Sequence, residues 1–151
     1  MIDELCACFR SGECKIRHAE YNAYNSSYEM FLGGTFLVTA PKGIFTSKKI
    51  EGSPLEEKGV SDMISLIDGI DKAVKQADDH IEIDRFWVLT NAQNEKVRID
   101  NSLFNARAVF TLLDGLQCGG VWTTGNFLYV TDYQNDVKVI LCKLKERNTD
   151  E

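Results

Sequence analysis

The last third of the chain limits most strongly which folds are open to it. Residues 97–100 have the alternating pattern of a short strand, and an amphipathic pattern over residues 101–117 predicts a helix capped by Asn101 or Ser102. Two β-rich runs follow this helix, at residues 121–133 and 137–144. A strand, a helix and a ribbon in this order predict helices packed on antiparallel strands.

The first fifty residues predict a short helix followed by a β-meander. The helix is indicated by apolar residues at helical spacing: Ile2, Leu5, Cys6 and Phe9. Gly33-Gly34 separates two β-rich runs and predicts a tight hairpin turn in which both glycines take positive φ. Further strands are expected at residues 14–21 and 44–50.

The middle of the chain predicts a loop, a helix and a strand. Residues 51–60 are polar and contain Gly52 and Pro54, and Ser61 is the predicted cap of a helix that ends near Ala77. Residues 81–89 are expected to form a strand. The complete pattern predicts a single α+β domain over residues 1–151, with antiparallel ribbons and three amphipathic helices. Its parts are a helix and meander at 1–50, a loop at 51–60 and a helix-strand-strand-helix-ribbon unit at 61–147.

Composition favours an ordinary globular chain: 44% of the residues are apolar and 26% are charged. No apolar run approaches the ~18–20 residues that a membrane-spanning helix needs. Residues 1–5 are acidic and unlike a secretory signal, so a cytoplasmic location is expected. The five cysteines, an odd number, are expected to be reduced.

Charge predicts a protein partner more than a nucleic acid. Against 17 basic residues there are 23 acidic ones, which gives a net charge of −6 and disfavours direct contact with phosphate backbones. Acidic residues are concentrated at 51–84, and tyrosines are grouped at 21–28. The binding residues predicted from these two groups are Glu51, Glu56, Glu57, Asp62, Asp68, Tyr21, Tyr24 and Tyr28.

Metal chemistry is indicated at one place only. Cys8, Cys14 and His18 resemble the tail of the Cys-Cys-Cys-His zinc fingers, a family that binds RNA, because thiolates and imidazole suit tetrahedral zinc. Cys6 precedes Cys8 by only two residues and lies on the apolar stripe of the predicted helix, whereas the family places its first cysteine further upstream. We therefore expect folding without metal or cofactor, and keep a variant zinc module as an alternative.

Two segments resemble a DNA sliding clamp. Val97-Arg98-Ile99-Asp100-Asn101-Ser102, leading into Leu112-Leu113-Asp114-Gly115-Leu116, is similar to the closing strand-helix-ribbon unit of a clamp, over residues 97–144. Residues 44–52 are similar to a clamp strand and turn. The resemblance implies a clamp-like half-repeat geometry with helices on one face. The corresponding functional hypothesis is a self-assembling protein associated with DNA, with Lys72, Lys75 and Arg107 facing the duplex.

The function favoured by these patterns is non-enzymatic binding through an acidic surface. No phosphate-binding loop, nucleophile elbow or zinc-protease helix occurs in the sequence. An acidic surface can block the basic groove of a nucleic-acid-processing enzyme, as a phage or mobile-element inhibitor or accessory protein would do. The alternatives are a clamp-like homo-oligomer and a zinc-binding module.

Overall fold

A seven-stranded sheet organises the part of the chain that the computed structural model describes, residues 1–9, 15–48, 50, 55–77, 80–116, 118–124 and 126–145. The helices are α1 (Ile2–Ala7), α2 (Glu57–Ala77), α3 (Arg85–Asn91) and α4 (Ala106–Gly115). The strands are β1 (Arg17–Ala23), β2 (Ser26–Leu32), β3 (Phe36–Pro41), β4 (His80–Ile81), β5 (Lys96–Ile99), β6 (Ser102–Asn105), β7 (Cys118–Thr123), β8 (Phe127–Asp132) and β9 (Lys138–Cys142).

The strand order of the large sheet is β1-β2-β3-β9-β8-β7-β4, and β5 and β6 form a separate ribbon. Every pairing between these strands is antiparallel. Strand β9 lies between β3 and β8, so that Val139 is opposite Val38 on one side and Val130 on the other. The chain therefore brings its last described strand into the middle of the sheet.

Each face of the sheet packs against a different layer. One face contributes Phe31, Val38 and Leu141 to a core shared with α1, α3, α4 and the ribbon, in which Leu5 and Leu112 are fully buried. The opposite face packs against α2 through another apolar cluster, made of Met30, Leu37, Ile67, Val74, Trp122, Tyr129 and Ile140. The structure thus has three layers with the sheet in the middle.

The α+β class predicted from the sequence is confirmed, and so is the hairpin around Gly33-Gly34, which joins β2 to β3. The reason given for that hairpin is wrong, because neither glycine has a positive φ. Gly33 is needed for space instead. A Cβ atom there would lie 2.7 Å from the ring of Phe36, which packs against the turn.

Several predicted boundaries are wrong. Residues 44–48 form no strand, and helix α2 begins at Glu57, so Ser61 lies inside the helix rather than at its cap. Residues 85–89, expected to be extended, lie in α3 instead, because the carboxylate of Asp84 accepts a hydrogen bond from Trp87 N at 2.8 Å and caps the first turn. The structure therefore has a fourth helix that the sequence pattern did not predict.

The predicted start of α4 is also wrong. Residues 102–105 pair with β5 across a turn in which Asp100 and Asn101 have φ values of 49° and 69°, the paired positive values of a tight hairpin. The helix begins only after Asn105, whose side chain accepts from Ala108 N at 3.0 Å and donates to Cys8 O at 2.7 Å. One side chain thus caps α4 and ties it to α1.

Two adjacent leucines of α4 provide a matched test of this packing. Leu112 is fully buried, whereas Leu113 is only partly buried. We expect Leu112→Ala to lower the free energy of unfolding by ~2–5 kcal/mol, because it leaves a cavity, and Leu113→Ala to lower it less. Urea unfolding of the two variants measures the difference, and equal losses would contradict the orientation of the helix.

Candidate ligand-binding groove

A groove of 580 Å³ lies between α2 and the sheet, a volume in the range of small-molecule and side-chain pockets. The sheet contributes Thr39 and Lys138, and α2 contributes Ile64, Ile67, Asp68 and Asp71. The β1–β2 hairpin contributes Tyr21, Ala23, Tyr24 and Tyr28, and the β8–β9 turn contributes Gln134, Asn135 and Asp136. Apolar, aromatic and carboxylate groups therefore line a single concave surface.

Three tyrosines form the aromatic end of the groove. Tyr21 and Tyr28 are cross-strand partners with ring centroids 5.8 Å apart, and the ring of Tyr24 meets that of Tyr28 edge-on at 6.2 Å. The hairpin turn holds Tyr24 at a φ of 52°, unusual for a bulky residue, and leaves its side chain 74% exposed. The turn therefore projects one ring into solvent beside two that pack together.

A buried hydrogen bond connects α2 to the sheet beside this aromatic end. Tyr129 donates from its hydroxyl to Asp71 Oδ1 at 2.6 Å, and Lys75 Nζ lies 2.8 Å from the same oxygen. Burial acts to raise the pKa of Asp71, but hydrogen bonds from Lys75 and Tyr129 outweigh it and hold that pKa below its ordinary value. Burial and the Asp71 carboxylate together raise the pKa of Tyr129.

The β8–β9 turn forms another part of the groove wall. The carboxylate of Asp132 accepts hydrogen bonds from the backbone N–H groups of Asp136 and Val137, at 2.8 and 3.0 Å, and fixes the turn. Asn135 lies at a φ of 61°, and its Oδ1 atom is buried with no hydrogen-bond partner among the described residues. The turn thus carries an amide oxygen that is shielded from solvent and unpaired within the described residues.

Half of the predicted binding residues meet at this groove. Tyr21, Tyr24, Tyr28 and Asp68 all line it. Glu56, Glu57 and Asp62 are exposed but do not line it, and Glu51 lies outside the described residues.

Sequence reasoning missed the contribution of Asn135 and Asp136. Their segment was recognised as a turn, but no local pattern shows that this turn returns to a hairpin more than a hundred residues earlier in the chain.

The predicted zinc ligands are engaged elsewhere. Cys8 donates to Glu4 O at 3.2 Å, His18 Nε2 is 3.0 Å from Glu29 Oε1, and Cys14 lies outside the described residues. No group of three or more His, Cys, Asp or Glu side chains in the described part of the chain is arranged to hold a metal ion.

Cys6 lies in a disulfide bond, so the prediction that all the cysteines are reduced is wrong. Of the other cysteines, Cys8 and Cys142 are free thiols.

A second apolar surface lies on α3, which the sequence pattern had assigned to a strand. Phe86, Trp87 and Leu89 are exposed on this short helix, and the Arg85 guanidinium lies 5.1 Å from the ring centroid of Phe86. This surface is at the far side of the fold from the tyrosines, because the neighbouring strand β4 and strand β1 are opposite edges of the sheet. It borders a second pocket of 450 Å³, in which Trp87 lies with the carboxylates of Glu82 and Asp84.

Comparison with models of known protein families, with curated proteins and with solved structures finds no match to this chain. The resemblance to sliding clamps therefore stays a prediction. None of the helices in the described ranges has the length and apolar character needed to cross a membrane.

The Asp71–Tyr129 contact predicts a particular pH dependence of stability. Because the folded pKa of Asp71 is lowered, its stabilising effect is complete above the ordinary carboxyl value of about 4 and is lost as pH falls below it. We expect Tyr129→Phe to lower the free energy of unfolding by about 1.5–3 kcal/mol at pH 7, as for the loss of a hydrogen bond to a charged group, and by less at pH 3. Chemical unfolding at both pH values measures the change.

The matched control is Tyr133→Phe, since Tyr133 is 82% exposed and should tolerate the loss of its hydroxyl. If Tyr129→Phe lowered the free energy of unfolding equally at pH 7 and pH 3, the hydrogen bond to a charged carboxylate would be contradicted.

Proposed function

We propose that this chain is a non-enzymatic binding protein that engages a basic protein partner through its acidic and aromatic surface. The observation that carries the proposal is the meeting of Tyr21, Tyr24, Tyr28 and Asp68 in one groove, since these residues were predicted as binding residues from composition alone. Aromatic side chains supply large contact area at interfaces, and carboxylates select partners of opposite charge.

The resolved pKa shifts give no support for a general acid or base among the groups concerned. Such a group works best with a pKa near the working pH, whereas each shifted group in the described residues moves away from neutrality. Hydrogen bonds and positive neighbours lower the pKa of the acids, burial raises the pKa of the tyrosines and cysteines, and Glu20 raises the pKa of Lys42. The groups are Glu4, Glu20 and Asp71; Tyr21, Tyr28 and Tyr129; Cys8 and Cys142; and Lys42.

Two carboxylates on one side of α2, of which only Asp68 lines the groove, support a protein partner rather than a small cation. Glu57 and Asp68 are eleven residues apart on α2, about three helical turns, and therefore lie on the same side of the helix. A basic surface that extends over this side of the helix can contact both carboxylates. An inhibitor or accessory protein that covers the basic groove of a nucleic-acid-processing enzyme must contact such a basic surface.

The finer predictions on location and assembly stay predictions. A disulfide such as that of Cys6 is rare in reducing compartments and argues against the cytoplasmic location. Clamp-like self-assembly has no specific observation in its favour within the described residues.

The test is kinetic. A partner captured from cell extract and purified is passed over the immobilised chain at increasing salt, which shortens the screening length from about 10 Å at 0.1 M to about 3 Å at 1 M. We expect the association rate to fall with salt, and the double reversal Glu56→Lys with Glu57→Lys to slow association more than it speeds dissociation.

The matched control is the double reversal Glu82→Lys with Glu95→Lys, which makes the same change of charge at exposed positions away from the start of α2. Association that is insensitive to salt, or equally slowed by both double reversals, would rule out steering by α2.

A further inference from the structure

The aromatic end of the groove carries carboxylates that no described residue neutralises. Asp71 is committed to Tyr129 and Lys75, whereas the carboxylates of Asp68 and Asp136 make no hydrogen bond or ion pair within the described part of the chain. Burial raises the pKa of Tyr21 and of Tyr28, and the charges of Asp68 and Asp136 add to this in turn. Both free carboxylates line the same groove as the stacked pair.

Lys138 lies on the floor of the groove and carries the opposite charge. This charge lowers the pKa of Asp71, and so acts on the carboxylate that Tyr129 and Lys75 already contact. Asp71 already holds Lys75, and the two free carboxylates outnumber the one remaining ammonium. The groove keeps an excess negative charge at the aromatic end.

A third observation concerns hydrogen bonding. The buried Oδ1 atom of Asn135 has no partner among the described residues, and leaving a buried acceptor unpaired is costly. A ligand that donates hydrogen bonds removes this cost only where the Asn135 side chain turns to expose the oxygen. The groove therefore offers ring faces and free carboxylates beside a buried acceptor.

We propose that the groove between Tyr24, Tyr28, Asp68 and Asn135 binds the guanidinium group of an arginine side chain. This assignment rests on the proposed function, because it assumes that the arginine belongs to a basic protein partner. A guanidinium is planar, stacks on aromatic rings and presents five donors, whereas an ammonium is compact and more strongly hydrated. An arginine matches all three features of the groove, and a neutral ligand leaves the carboxylates unpaired.

The probe is N-acetyl-L-arginine N-methylamide, titrated into the protein and followed by backbone amide chemical shifts. We expect the shifts to concentrate in residues 21–28, 64–71 and 134–138. The isosteric but uncharged citrulline analogue should bind about tenfold more weakly, and the lysine analogue should also bind more weakly than arginine. Equal binding of the citrulline analogue would overturn the proposal and indicate a neutral ligand such as a sugar.

Two matched variants localise the site. Tyr24→Asn removes the exposed ring and keeps a residue that tolerates the positive φ, so the fold is preserved. We expect it to weaken arginine binding about three- to tenfold, whereas Tyr133→Asn, at an equally exposed tyrosine outside the groove, leaves it unchanged. Equal effects of the two variants, or shifts outside the groove, would overturn the assignment.

The two proposals fail separately. Shifts of the groove by the arginine probe, with no salt-dependent protein partner, would support the arginine site and remove the proposed function. A partner whose association depends on the charges of α2, without chemical-shift changes in the groove on addition of the probe, would support the proposed function and remove the arginine site.

Discussion

The hydrogen bond from Tyr129 to Asp71 is the contact on which the groove depends. It joins the middle of α2 to a central strand of the sheet, at 2.6 Å, in a place where apolar packing surrounds it. Apolar contacts alone let a helix slide or rotate over a sheet, because they are non-directional. One directional bond between an ionised carboxylate and a buried hydroxyl fixes the position of α2, and with it the distance between the helix and the tyrosines.

The groove forms where this fixed helix and two turns meet. The β1–β2 hairpin supplies Tyr24 at its tip, and the β8–β9 turn, held by Asp132, supplies Asn135. Both turns contain residues at positive φ, which points their side chains in directions that a regular strand does not allow. The helix, the two constrained turns and the sheet floor form the walls of the site that we propose for a planar cation.

Local patterns predicted local structure well. The apolar spacing of α1 and α2 and the glycine pair between β2 and β3 each correspond to an observed element. The failures arise where one polar side chain decides the outcome: Asp84 caps α3 in a segment of strand-like composition, and Asp100-Asn101 makes a hairpin inside what looked like a helix. The grouping of Tyr24 with Asp136 could not be predicted, because it depends on β9 entering the middle of the sheet, a long-range pairing without a local signal.

The most direct measurement of the central claim is the intermolecular nuclear Overhauser effect between the arginine probe and the protein. Among the described residues, exposed aromatic side chains occur at the tyrosine groove, on the α3 surface with Phe86 and Trp87, and at Tyr133, and a cation could stack on any of them. The account predicts cross-peaks from the probe's δ-methylene protons to the ring protons of Tyr24 and Tyr28. Cross-peaks to Phe86 and Trp87 alone would contradict it.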